Sequence, residues 1–282
     1  MKKQEQNNTL SVKELYKIQK GKERKEQKQD TPYVLTPINL YNDNFQNFKR
    51  YNIPKGQLVI ADIPYNIGLN AYASSPQWWN DKEAKEPNKE KAGKSFFKTD
   101  NKFNIAEFWH FCSKLVKEGK EPGCMLLFCA FEQFELNIQY AKKYGFKHYI
   151  PLVFDKKRSS QVLKANMRIV GSCEYGFIFY KDKLPKFRNK GKMIFNVIDW
   201  DIGKKEKIPK IHPTQKPYGL LQYLISIFTD EGDIVIDPCC GSGVSLLAAA
   251  NINRISYGFE VEKEYYENAK KQILSLNEPR LF

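Results

Sequence analysis

From Pro32 onward the chain alternates short apolar runs with amphipathic stretches, and few folds accept that rhythm. The runs QLVIA (57–61), CMLLFCA (124–130), HYIPLVF (148–154), YGFIFY (175–180), DIVID (233–237) and ISYGFE (255–260) each have strand length. Between them, Asn104 with Glu107 makes a capping signal, and Ile105, Phe108, Trp109, Cys112, Leu115 and Val116 then follow helical spacing. Pro217 suits a first helical position ahead of Leu220, Leu221, Leu224, Ile225 and Phe228, and a last helix begins near Glu262 with Tyr265, Tyr266, Ala269, Ile273 and Leu276. Strands alternating with helices predict an α/β fold of βαβ units, a mostly parallel sheet with helices on both faces. Residues 1–30 are mostly Lys, Gln, Glu and Asn, with too little to bury, and are expected to be an appendage, disordered or one short helix, before a single domain at 31–282.

Composition narrows the partners. Lys and Arg outnumber Asp and Glu by 46 to 32, which favours a polyanion: nucleic acid first, an anionic membrane surface second. No apolar run approaches the roughly 20 residues that span a bilayer, and MKKQEQNN lacks the apolar core of a signal peptide, so a cytoplasmic protein without a membrane partner is expected. Cys112, Cys124, Cys129, Cys173, Cys239 and Cys240 show no C-x-x-C pair, and His110, His148 and His212 are scattered, so no metal site is expected. Two stretches break the alternation. Residues 66–103 are polar, carry Trp78 and Trp79, and read as a long functional loop. Residues 181–211 interleave Lys181, Lys183, Lys186, Arg188, Lys190 and Lys192 with Phe187, Phe195 and Trp200, which suits a nucleic-acid face; a solvated loop is the alternative.

The stretch DIVIDPCCGSGVSLLAAA (233–250) is a strand, an acidic turn, G-S-G and a helix of small residues. Gly241 and Gly243 let backbone approach a ligand, and Glu260, ending the next strand, is placed to accept ribose hydroxyls. The third glycine of an NAD fingerprint would fall at Leu246, and G-K-S at 93–95 has Asn88 where a P-loop needs glycine. A ligand with a ribose but no recognised phosphate fits better, and S-adenosylmethionine is the commonest. VIADIPYN (59–66) ends another apolar strand on Asp62. If the two strands are neighbours, Asp62 and Asp237 face one crevice. Asp62 Oδ and the Ile63 carbonyl would each accept an N–H of a planar amine, stabilising charge as it develops, while Tyr65 stacks on the ring. The alternative is an Asp that caps a turn and a Tyr that is core.

With these motifs in hand, the chain resembles the amino-group DNA methyltransferases, the N6-adenine and N4-cytosine enzymes. DIPY resembles their D-P-P-Y motif, DPCCGSG their D-P-F-x-G-S-G cofactor loop, and HPTQKP (212–217) the segment before that loop in the circularly permuted β class; the resemblance covers roughly 38–275. It implies a Rossmann-like methyltransferase fold and S-adenosylmethionine as cofactor. It places Asp62, Ile63, Pro64 and Tyr65 at the target base. Asp237, Pro238, Cys239, Gly241, Ser242, Gly243 and Glu260 fall at the cofactor, with Thr214 and Lys216 near its methionine end and Asp43 of LYNDNF near its adenine. EYGFIFYK (174–181) is similar to the strand that walls the base pocket. Ile63 replaces the first proline and removes its φ restriction, and Val244-Ser245 stand where Thr-Thr is common.

An Asp at the head of the motif leans to adenine. The expected activity is therefore site-specific N6-adenine methylation of a flipped base in duplex DNA. The alternatives are N4-cytosine methylation, an RNA or protein methyltransferase on the same fold, and a DNA-binding protein with a decayed site. Phosphate contacts are assigned to Lys156, Lys157, Arg158, Lys164, Arg168, Lys186 and Arg188, and target recognition to 181–211. The short recognition segment points to a second copy of the chain, and a cognate restriction endonuclease is a further candidate partner.

Overall fold

The computed structural model describes residues 36–65, 103–159, 166, 169–203, 208–212 and 214–277. The expected appendage at 1–30, nearly all of the 66–103 loop, Lys164 and Arg168 lie outside the described residues. In chain order the elements are β1 (Ile38–Tyr41), β2 (Leu58–Asp62), α1 (Ile105–Leu115), β3 (Cys124–Cys129), α2 (Phe134–Lys143), β4 (His148–Asp155) and β5 (Cys173–Tyr180). They continue with β6 (Val197–Asp199), α3 (Tyr218–Phe228), β7 (Ile234–Asp237), α4 (Val244–Ala250), β8 (Ile255–Phe259) and α5 (Lys263–Asn268).

The strands form one sheet in the order β1-β8-β7-β2-β3-β5-β4-β6. Every neighbouring pair is parallel except those of β5, which runs antiparallel to both β3 and β4. An antiparallel return needs no crossover helix, and none is described in the link from β4 to β5. The central strands β2 and β3 are buried almost end to end, as parallel strands covered on both faces must be. Their period of two then sorts the core. Leu58, Ile60, Leu126 and Phe128 pack with α3 and α4 on one face, and Val59, Ala61, Met125 and Leu127 pack with α1 on the other.

The helix starts follow their caps. Asn104 Oδ1 accepts from the N–H groups of Ala106 at 3.0 Å and Glu107 at 3.2 Å, and α1 buries Phe108, Trp109, Cys112 and Leu115, the expected stripe. Pro217 stands one place earlier than expected, as the extended N-cap of α3. The last helix begins after Glu262 but tightens and loosens on the way, α5 giving way to a π segment at Ala269–Ile273 and a 3-10 turn at Leu274–Asn277.

The chain leaves β2 for β3 on one side and β7 for β8 on the other, and β2 pairs with β7 (Leu58 opposite Val235, Val59 opposite Ile236). That reversal opens a crevice beyond the carboxyl ends of the two strands, where Asp62 and Asp237 stand, as the sequence reading required. Among the described residues, no helix is long and apolar enough to cross a membrane.

Candidate active site

The turn after β2 is held by hydrogen bonds where a proline-rich turn would be held by its rings. The Ile63 N–H donates to Phe128 O at 3.3 Å, a bond a proline there could not make, and its side chain is buried in the core. Gln133 then brackets the turn: its Nε2 donates to Pro64 O at 2.8 Å while its Oε1 accepts from the Ala130 N–H at 3.1 Å. Gln133 carries no sequence signal, since its partner is 69 residues away.

Past the turn, four charges and a phenol meet. Lys216 Nζ donates to Asp62 Oδ2 at 2.6 Å and lies 3.3 Å from Glu174 Oε2. Lys156 Nζ donates to Glu174 Oε1 at 3.0 Å, and Tyr65 Oη donates to Glu174 Oε2 at 3.2 Å. The other oxygen of the catalytic candidate, Asp62 Oδ1, is buried and has no hydrogen-bond partner among the described residues. A buried acceptor left open carries a desolvation cost that a bound donor would relieve. Burial pushes the Asp62 carboxyl up to about 6, with Lys216 opposing the rise, Glu174 adding to it, and the nearby Tyr65 hydroxyl opposing it more weakly. Burial also works against Glu174 and Lys216, but there the opposite charges win: Glu174 is held below its ordinary value and Lys216 above.

The second acid, Asp237, turns inward. Its Oδ1 accepts from the Cys239 N–H at 3.0 Å and its Oδ2 from the Ser245 hydroxyl, so both oxygens tie the β7–α4 turn together, and burial pushes the carboxyl up to about 7. Pro238 and Ser242 are likewise buried within this turn, whereas Cys239 is half-buried. Gly241 and Gly243 have φ of 51° and 73°, in the left-handed region that favours glycine. Glu260 closes the mouth. It accepts from the N–H groups of Glu262, at 2.7 Å, and Gly241, and burial pushes it up to about 7.

Asp43 lies beyond the end of β1, the neighbour of β8. Its oxygens accept from the Asn44 N–H, Asn47 Nδ2 and Tyr51 Oη, each at 2.7 Å, and these bonds hold it below its ordinary range against burial. Thr214 Oγ1 is 3.1 Å from His212 Nδ1. The His212 ring packs edge-on against Tyr265, 4.5 Å between centroids, and faces Gly241, where an added Cβ would sit 3.6 Å from it. Burial, with help from Lys216 and Lys210, lowers His212 to about 4, so it is neutral at physiological pH. Its place against the glycine turn was not foreseen. The Glu260 carboxylate at the end of β8, beside a left-handed glycine turn, suits a ribose-bearing ligand.

The basic residues part company. Lys156, Lys157 and Arg158 follow β4 at the same end of the sheet as Asp62; Lys156 also lies 5.2 Å from the Trp200 ring, Lys157 pairs with Asp199, and Arg158 with Asp201 at 3.1 and 3.3 Å. Lys186 and Arg188 lie elsewhere. They sit at the amino ends of β3 and β7, opposite the crevice, where the Lys186 N–H donates to Pro122 O and the Arg188 N–H to Ile227 O. Lys186 Nζ is buried against Asp233 at 2.7 Å and Asp230 at 2.9 Å, and Arg188 pairs with Asp230 and Glu121. Both cations are paired within the fold. The first half of the expected recognition segment thus runs along the end of the sheet opposite Asp62 and Asp237.

A doubly wound sheet with acids at its switch point, a glycine turn and a motif-bearing loop defines the Rossmann-like methyltransferase class. The chain belongs to the N6/N4 amino-group methyltransferase family, whose model, described as DNA methylase, matches residues 57–271. Among curated proteins it is 40% identical over 101 residues to the Type II methyltransferase M2.DpnII of Streptococcus pneumoniae, covering 36% of this chain and 38% of that one. It is 38% identical over 96 residues to M2.LlaDCHI of Lactococcus lactis subsp. cremoris, covering 34% and 36%. The matched stretches thus span just over a third of those two relatives. The DNA adenine methyltransferase YhdJ of Escherichia coli (strain K12) is 26% identical over 260 residues, covering 83% of this chain and 81% of that one. The fold is shared with the M1.HpyAVI–SAM complex (TM-score 0.57, 22% identity, 84% of this chain and all of that one). It is also shared with the cytosine-N4-specific PvuII DNA methyltransferase (TM-score 0.61, 16% identity, 86% and 89%).

Proposed function

We propose that this chain transfers a methyl group from S-adenosylmethionine to the exocyclic amino group of a base flipped out of duplex DNA, N6 of adenine in the first reading. The observation that carries the proposal is the buried Oδ1 of Asp62, which has no hydrogen-bond partner among the described residues and stands beside Tyr65. When bound, S-adenosylmethionine supplies an electrophilic methyl group. The chain's own residues prepare the amine for it. Asp62 Oδ1 and the Ile63 carbonyl accept one N–H each, which draws the nitrogen lone pair out of conjugation and stabilises positive charge on it. Tyr65, its hydroxyl tied to Glu174, offers its ring for stacking. The glycine turn at Gly241 and Gly243 and the carboxylate of Glu260 hold the nucleoside part of the cofactor, with Asp43, Thr214, Lys216 and the Asp237–Ser242 turn around it.

The adenine preference follows from Asp62 at the head of the motif and from YhdJ, the named adenine methyltransferase that aligns along most of the chain. Lys156, Lys157 and Arg158, on the crevice side, are the phosphate contacts of this reading, and Lys164 and Arg168 belong to the same segment. The relatives' Type II designation supports a restriction–modification setting in the cytoplasm, with a cognate endonuclease as cellular partner and a second copy of the chain supplying further DNA contact.

The test is methyl transfer from labelled S-adenosylmethionine to unmethylated duplex DNA, followed by nucleoside digestion and mass spectrometry. N6-methyladenine is the expected product. N4-methylcytosine would correct the base, and label found only in RNA or protein, or nowhere, would overturn the proposal.

A further inference from the structure

Lys216 is 6% exposed, a depth at which an ammonium stays charged only against acids at contact distance. It has two, from different strands: Asp62 Oδ2 of β2 at 2.6 Å and Glu174 Oε2 of β5 at 3.3 Å. The Tyr65 and Phe128 rings flank its Nζ at 5.4 and 5.3 Å. Its backbone is fixed too, because the next residue, Pro217, caps α3. With Lys156 on the far oxygen of Glu174, two acids and two lysines balance when all are ionised.

We propose that Lys216 is a positioning residue for methyl transfer: it keeps Asp62 ionised and occupies Oδ2, so that Oδ1 alone meets the amino group, while Glu174 opposes it. The assignment rests on the reading of Asp62 as the acceptor of the base's N–H. A protonated Asp62 would present an O–H to a group that needs an acceptor. The ionic form therefore decides whether the amine is activated, and Lys216 supplies the compensating charge. The titratable and charged groups facing Asp62 are Lys216 and Glu174, the Tyr65 hydroxyl, the thiols of Cys129 and Cys239, and Asp237 across the crevice. Lys216 is the cation among them. Glu174 is the like charge whose loss favours ionisation of Asp62.

The two substitutions should accordingly move the reaction in opposite directions along the pH axis. Full-length wild type, Lys216→Met and Glu174→Gln are compared in single-turnover methylation of unmethylated duplex DNA at saturating S-adenosylmethionine, between pH 5 and pH 9. The acid limb of the profile should move up by about one pH unit or more in Lys216→Met, with rate recovered at high pH, and down in Glu174→Gln. A residue that only fills space would lower the rate equally at every pH. If both variants fold and neither limb moves, the assignment is wrong. If Lys216→Met does not fold, an unmoved limb in Glu174→Gln overturns it alone. Failure of the wild type to methylate a base amino group would instead sink the underlying reading.

Discussion

The two ends of the sheet hold similar numbers of charges and use them differently. At the amino ends, Lys186 and Arg188 meet Asp230, Asp233 and Glu121, and the cations are consumed by the acids. At the carboxyl ends, Lys216 and Lys156 meet Asp62 and Glu174 in a comparable network, yet one buried oxygen, Asp62 Oδ1, is left over. Both networks stabilise charges the fold has partly removed from water. Among the described residues two buried side-chain oxygens lack a partner, the neutral amide oxygen Gln57 Oε1 at the amino ends and Asp62 Oδ1 at the carboxyl ends, and of the two only the carboxylate oxygen stands beside a motif ring, Tyr65.

One effect tests the staple that Lys186 makes at the amino ends. Replacing Lys186 with Met leaves Asp233 without its cation while Asp230 keeps Arg188, and should cost about 1–3 kcal/mol, read as a fall in the urea midpoint. Methylation per folded molecule should be unchanged; a selective loss of DNA affinity would break the comparison. Next comes Asp62→Ala. It should lower methyl transfer by about a hundred- to a thousandfold, as when one aimed group is removed from a polar catalytic site, while calorimetry still shows cofactor binding. Tyr65→Ala removes the stacking ring and should weaken DNA binding by about 1–3 kcal/mol, with a smaller effect for Tyr65→Phe.

A fourth outcome concerns pH. Asp62, Asp237 and Glu260 are raised in the fold to about 6, 7 and 7. Each therefore favours the folded state fully below its unfolded value, near 4, and loses that contribution as pH rises through its folded value. The protein without ligand should be less stable at pH 8 than at pH 5.5, by roughly 1.4 kcal/mol per pH unit for each acid still protonated in the fold, with His212, lowered to about 4, offsetting one such group below its unfolded value of 6.5. Equal urea midpoints at the two pH values would contradict the burial of these acids. Asp230, held low by Arg188 and Lys186, should contribute nothing over that window.

Much of the crevice was legible because its signals are local. Apolar runs ending in Asp62 and Asp237 marked β2 and β7, and a neighbour relation between them was the condition for a shared site; they do pair. β1 and β6 escaped notice for a physical reason. Four residues containing Asn39 and three ending in Asp199 have no apolar run of their own, and become strands only by pairing with β8 and β4. The staple is invisible in the sequence for the same reason: the partners of Lys186 and Arg188 lie 42 to 67 residues away along the chain. Lys216 is the reverse case: the motif HPTQKP singled it out, but its partner Asp62 is 154 residues distant, and no spacing announces that contact.

In the proposed reaction the open oxygen of Asp62 is where a base's amino group is held for methylation. The most direct measurement is single-turnover transfer from labelled S-adenosylmethionine to unmethylated duplex DNA by wild type and Asp62→Ala side by side, with cofactor affinity measured on both. Labelled N6-methyladenine is expected from wild type, and from Asp62→Ala a rate lower by at least about a hundredfold at unchanged cofactor affinity. Equal rates from the two proteins would contradict it.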